Sequence, residues 1–61
     1  MRESLYAVEF VHRTTGERRA YTVYAYNKLD ADVAGAKRIE RDEGPKWRGI
    51  WWAYGSRKVG S

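Results

Sequence analysis

Three tryptophans and a tyrosine fall within the thirteen residues Lys46-Trp47-Arg48-Gly49-Ile50-Trp51-Trp52-Ala53-Tyr54-Gly55-Ser56-Arg57-Lys58, with lysine and arginine around them. Their chemistry is recognition. Large rings stack on flat partners and attract cations, and the cations engage anions. A strand sends alternate side chains to opposite faces, so adjacent Trp51 and Trp52 cannot both enter one core. If this segment is a strand, at least one large ring faces outward beside a positive charge.

A second basic group, Arg13, Arg18 and Arg19, brackets Thr14-Thr15-Gly16-Glu17 and reads as a hairpin tip able to straddle a phosphate backbone. Lys37, Arg38 and Arg41 alternate with Glu40, Asp42 and Glu43 and read as a self-paired, solvated helix surface. Bond-making chemistry finds no footing. His12 is read as a strand-end residue opposite Arg19. Asp30 and Asp32 diverge on a helix, and Ser4, Ser56 and Ser61 have no His-acid arrangement near them in sequence. Gly44 is followed by Pro45 and Gly49 stands alone, so no phosphate-cradling loop is present. The expectation is a non-enzymatic binding module without cofactor or metal.

Composition narrows the setting. Sixty-one residues allow one domain with one small core, and a chain of this size buries only about 60% of its unfolded surface. There is no cysteine and a single histidine, which removes disulfides, thiol chemistry and the usual zinc ligand sets. Stability must come from aromatic packing or self-association. No signal-like or membrane-spanning apolar run is seen, and a cytosolic protein is expected. The formal charge of +4 favours anionic partners, although eight acidic residues dilute it.

The elements that must position these groups are strand, strand, helix, strand. Residues 5–12 and 18–26 are rich in β-formers, and the intervening 14–17 segment supplies a glycine for a turn. A four-residue loop there sets Arg13 opposite Arg18, Phe10 opposite Tyr21, Val8 opposite Val23 and Tyr6 opposite Ala25. The last three of these pairs share one face, which is apolar. The other carries Leu5, Ala7, Glu9, Val11, Ala20, Thr22, Tyr24 and Tyr26. Asn27 is placed to cap a helix with Asp30 three residues on, and Ala31, Gly35, Ala36 and Ile39 form a narrow stripe of mostly small residues. Gly44-Pro45 ends the helix. The last strand is expected over residues 47–54, with a polar, basic tail from about residue 55.

The predicted fold is α+β: a ββαβ domain, sheet order 2-1-3, mostly antiparallel, with one helix on one face. Ile50, Trp52 and Tyr54 share a parity and fit the covered face best. Trp51 and Trp47 then join Tyr24 and Tyr26 on the open face, edged by Arg13, Arg18 and the cations Arg48, Arg57 and Lys58. With Leu5 and Val11 this makes an apolar patch that a ligand or a homodimer mate is expected to cover.

An aromatic hairpin, an Asx-capped alanine-rich helix and a last aromatic strand together resemble short accessory proteins encoded by bacteriophages, in size and layout across most of the chain. The resemblance implies a small nucleic-acid-binding protein, or an inhibitor docking on a host or defence protein in the host cytoplasm. The open sheet also looks like half of an RNA-recognition-motif fold, but the aromatic-glycine strand of that family is missing and no residue is carried over. Nucleic acid is the leading expected partner, because rings on an open sheet stack bases while Arg and Lys meet phosphate. A protein partner is the alternative.

Overall fold

The computed structural model describes residues 2–60. The chain runs β1 (Ser4–His12), β2 (Arg18–Ala25), α1 (Lys28–Glu43), a short 3-10 helix at Trp47–Gly49 and β3 (Trp51–Gly60). The strands form one sheet in the order β2-β1-β3, and β1 is antiparallel to both neighbours. The apolar stripe of α1 packs on one face. The α+β class, the strand order and the single covered face agree with the sequence reading. Among the described residues no helix is long and apolar enough to cross a membrane.

The hairpin closes earlier than expected. Phe10 lies opposite Arg19, Val8 opposite Tyr21 and Tyr6 opposite Val23, two residues away from the anticipated pairing. His12 N–H donates to the Glu17 carbonyl at 2.7 Å and Gly16 N–H to the His12 carbonyl at 3.0 Å, so residues 13–16 form the loop. The reason is His12 itself. Its Nδ1 accepts the backbone N–H groups of Thr14 and Thr15, each at 3.1 Å, and so satisfies two donors that the turn leaves free. A slip of two residues preserves strand parity, so both faces of the hairpin keep their expected side chains.

The helix ends follow local chemistry. Asn27 Oδ1 accepts the Asp30 N–H at 2.9 Å. At the other end Gly44 takes φ 94° and donates its N–H to the Glu40 carbonyl at 2.7 Å. That positive φ with extended ψ is open to glycine almost alone and stops the helix before Pro45. Ala31, Gly35 and Ile39 are buried, while Leu29 and Val33 stay exposed. With them the core holds Val8, Phe10, Tyr21, Val23, Ala25, Trp47 and Trp51; Tyr6, expected inside, is only half-buried.

The last strand departs most from expectation. It starts at Trp51, because Trp47 is turned inward on the 3-10 helix and packs edge-on against Phe10, ring centroids 5.6 Å apart. It also continues to Gly60, so the expected basic tail is strand: Ser56, Arg57 and Lys58 lie opposite Val8, Ala7 and Tyr6. Pairing satisfies backbone groups regardless of side-chain polarity, and an edge strand tolerates the charges. The parity is reversed as well. Trp51 is buried at 3% exposure, whereas Trp52 is 58%, Tyr54 57% and Ile50 39% exposed. Trp47 already fills the space beside Phe10, so β3 can place only Ala53 there.

Candidate functional site

The uncovered face follows from pairing. Arg18, Val11 and Trp52 form one cross-strand row, Thr22, Ala7 and Arg57 another, and Tyr24, Leu5 and Gly60 a third. Between them the pairing of β3 slips. Ala53 lies opposite Phe10 and Gly55 opposite Glu9, which leaves Tyr54 as an extra residue in a β-bulge. Bulges re-aim side chains. Here the bulge lets Trp52, Tyr54 and Arg57 share the open face. Strict alternation after Trp52 would have put Ser56 and Lys58 there instead.

Two cations lie on the exposed rings. The Arg13 guanidinium carbon is 5.2 Å from the Trp52 ring centroid, and that of Arg18 is 4.9 Å from the Tyr54 centroid. Each such contact is worth about 0.5–1 kcal/mol at an exposed site. Arg13 is further tied by its N–H to the Ile50 carbonyl at 2.8 Å. Tyr24, 65% exposed, stands six residues along β2 from Arg18, roughly 20 Å away at the rise of an antiparallel strand. The site therefore has a Trp/Tyr/Arg cluster beside the hairpin end and a lone tyrosine at the other end.

Charge is distributed unevenly. The helix carries four Lys or Arg against five Asp or Glu, and the rest of the chain carries eight against three. Glu9 is the sole carboxylate in the three strands. The excess positive charge thus lies off the helix, and Arg13, Arg18 and Arg57 place part of it around the open face.

Of the residues singled out in the sequence, Arg13, Arg18, Tyr24 and Arg57 belong to this surface, and Tyr26 is exposed just past the end of β2. Trp47 and Trp51 do not: both are core residues. Trp52 and Tyr54, expected inside, take their places. Arg48 lies over the Trp47 ring at 4.7 Å and, with Trp47, Val33 and Ala36, borders a half-open groove of about 370 Å³ on the helix side. Lys58, opposite Tyr6, also faces that side.

Arg19 faces the helix too, and there it is occupied. Its guanidinium carbon lies 4.4 Å from the Trp51 ring centroid, and Nη1 donates to Glu43 Oε2 at 2.7 Å. Nη1 also reaches the Tyr21 hydroxyl at 3.4 Å, and that hydroxyl donates to Asp42 Oδ2 at 2.7 Å. The network ties the start of β2 to the last turn of α1. The Arg19 hydrogen bond holds the Glu43 carboxyl below its ordinary value near 4.5. The sign follows. Glu43 contributes stability above the unfolded-state pKa and loses it as pH falls through the lower folded-state value. The melting temperature of the native chain should therefore fall on acidification through the carboxylate range. Glu43→Gln should flatten that fall, as thermal melts at stepped pH between about 6 and 2 would read.

No protein-family model, curated protein sequence or solved structure matches the chain.

Proposed function

We propose that the open face of the sheet binds single-stranded nucleic acid, with Trp52, Tyr54 and Tyr24 stacking on bases and Arg13, Arg18 and Arg57 meeting phosphates. The observation that carries this reading is the coincidence of exposed rings and cations on an uncovered sheet face whose strands hold one carboxylate. Aromatic platforms on sheets take unpaired bases, whose faces a duplex hides, while the accompanying cations follow the backbone. No catalytic step is assigned. The helix, with its slight negative charge, lies on the opposite side and is poorly suited to entering a duplex groove.

Magnitudes separate the contributions. Three phosphate contacts on a single strand give a slope of log K against log salt of about −2. Trp52→Ala should weaken binding by about 1–3 kcal/mol at every salt concentration, because stacking is short-range. Arg18→Ala should weaken it most at low salt and reduce the slope by about 0.7. Fluorescence anisotropy with labelled single-stranded DNA, single-stranded RNA and duplex DNA at two salt concentrations reads all three quantities. Absence of binding to every probe at low salt overturns the proposal.

A second reading is supported by the arginines lying over Trp52 and Tyr54, since Trp, Tyr and Arg are the residues that anchor protein interfaces. A protein partner would make Trp52→Ala costly and leave the arginine changes acting mainly on association rate. The same salt series distinguishes it.

A further inference from the structure

The two edges of the sheet are not alike. β3 carries two interruptions of its pairing, at Tyr54 and at Val59, together with Arg57 and Lys58. These are the features that blunt an edge strand against other chains. β2 has no such interruption, and its charges are confined to one end. Its pairing with β1 is unbroken, and residues 20–26 (Ala-Tyr-Thr-Val-Tyr-Ala-Tyr) contain no charge, glycine or proline. Its cations, Arg18 and Arg19, sit together at one end and are engaged with Tyr54 and with Glu43 and Trp51. A regular, uncharged edge rich in β-formers is a template for strand addition.

We propose that this edge pairs antiparallel with β2 of a second copy of the chain, with Thr22 on the two-fold axis. The hydrogen-bond phase permits it. His12 bonds to Glu17, so alternation along the ladder turns Arg19, Tyr21, Val23 and Ala25 towards β1. The N–H and C=O groups of Arg18, Ala20, Thr22 and Tyr24 then point to the free edge. Centring on Thr22 makes these same residues the hydrogen-bonded ones: Thr22 meets Thr22, Ala20 meets the second copy's Tyr24, and Arg18 meets the second copy's Tyr26.

The side chains complement one another in that register. A threonine pair lies at the centre, a small residue faces a large ring, and a cation faces an aromatic. The basic end of each strand meets the uncharged end of the other, so no like charges are opposed. This pairing gives exposed Tyr24 and Tyr26 neighbours. It joins two sheets into one of six strands and leaves both Trp52/Tyr54 clusters uncovered on the same side. The inference rests on edge geometry and is independent of the ligand proposed for the open face.

Interfaces of this small size are weak, so sedimentation velocity should show a monomer–dimer equilibrium between about 1 µM and about 1 mM. Thr22→Pro removes an N–H that the monomer does not use, and an edge strand tolerates it. It should weaken dimerisation at least tenfold while the far-UV circular dichroism spectrum is retained. Thr22→Cys gives an independent readout. The chain has no other cysteine, so any disulfide is between copies. A hydrogen-bonded pair, with Cα atoms about 5.5 Å apart, lies within disulfide reach. Thr22→Cys should oxidise to a covalent dimer at least tenfold faster than Arg57→Cys on β3. A monomer at every concentration, a dimer indifferent to Thr22→Pro, or equal oxidation of the two cysteine variants overturns the proposal. If the proline variant fails to fold, the cysteine comparison decides.

Discussion

Trp51→Ala should unfold or nearly unfold the domain, while Trp52→Ala should leave it folded. The two residues are chemically identical neighbours with opposite surroundings. Trp51 is 3% exposed, packs edge-on with His12 at 5.1 Å between centroids and supports the Arg19 guanidinium at 4.4 Å. Removing a buried tryptophan costs about 3–5 kcal/mol, against a total stability of about 5–15 kcal/mol whose lower end suits so short a chain. The change also takes away the surface on which Arg19 lies, loosening the Arg19–Glu43 tie to the helix. Trp52 is 58% exposed and contributes chiefly its contact with Arg13, worth about 0.5–1 kcal/mol. For a domain of this size that is a shift of no more than about 4–8 °C in Tm. Urea denaturation of both variants is the measurement. Equal losses would show that the parity of β3 has been assigned wrongly, and the open-face site would lose its central ring.

This contrast also marks where the sequence stopped being informative. The hairpin, the Asn27 cap and the Gly44 stop were legible because each rests on local pattern: alternation, an Asx side chain three residues before an amide, a glycine before a proline. The strand order followed from the apolar run of the first strand, which suits a central position. The hairpin register was less so, since it is set by a side chain, His12, bonding two turn amides, and alternation is blind to a slip of two. The parity of β3 was not legible. Both parities of residues 50–54 offer large apolar side chains, so periodicity has no preference. The arbiter is tertiary: Trp47 folds back from the 3-10 helix and occupies the volume beside Phe10. The available signal was size. Phe10 and the small helix stripe needed a small neighbour, and Ala53 is the only small residue between Ile50 and Tyr54.

The candidate site was half legible for the same reason. Arg13, Arg18 and Tyr24 lie on the expected face because the hairpin parity held, whereas Arg57, expected in a tail, lies in β3. Arg57 reached the open face by a route that strict alternation does not contain. Its position depends on the extra residue at Tyr54, which reverses parity between Trp52 and Arg57. Trp52 and Tyr54, expected in the core, form the centre of the exposed cluster. Arg19 looked equivalent to Arg18, yet one step along a strand takes it to the helix side, where Glu43 and Trp51 occupy it. Conversely, the side chains of the last residues suggest a polar tail, whereas their place in the sheet is decided by backbone pairing with β1.

Gly35→Ala should destabilise the protein, although alanine is the better helix former. In an exposed helix interior this substitution gains about 1 kcal/mol. At Gly35 an added Cβ would stand 2.5 Å from Val8 Cγ1, 2.7 Å from Val8 Cβ and 3.0 Å from Val8 Cγ2. Two of these approaches are closer than carbon atoms tolerate, and one is to an atom fixed to the central strand, so a rotamer change cannot relieve them all. The helix must move off the sheet. Overpacking of this kind costs about 1–3 kcal/mol, and the Cβ contact argues for the upper end, which exceeds the propensity gain. The net result should be a loss of about 2 kcal/mol. Val8→Ala supplies the internal check. Alone it should destabilise by opening a cavity where a 2% exposed side chain had been. Combined with Gly35→Ala it removes both Cγ contacts and leaves only the Cβ contact, so the double variant should be more stable than the sum of the single losses predicts. Simple additivity in thermal and urea unfolding would mean that the helix does not approach β1 as closely as the Gly35–Val8 contact requires. The stripe Ala31, Gly35 and Ile39 would then owe its small residues to something other than the distance between α1 and the sheet.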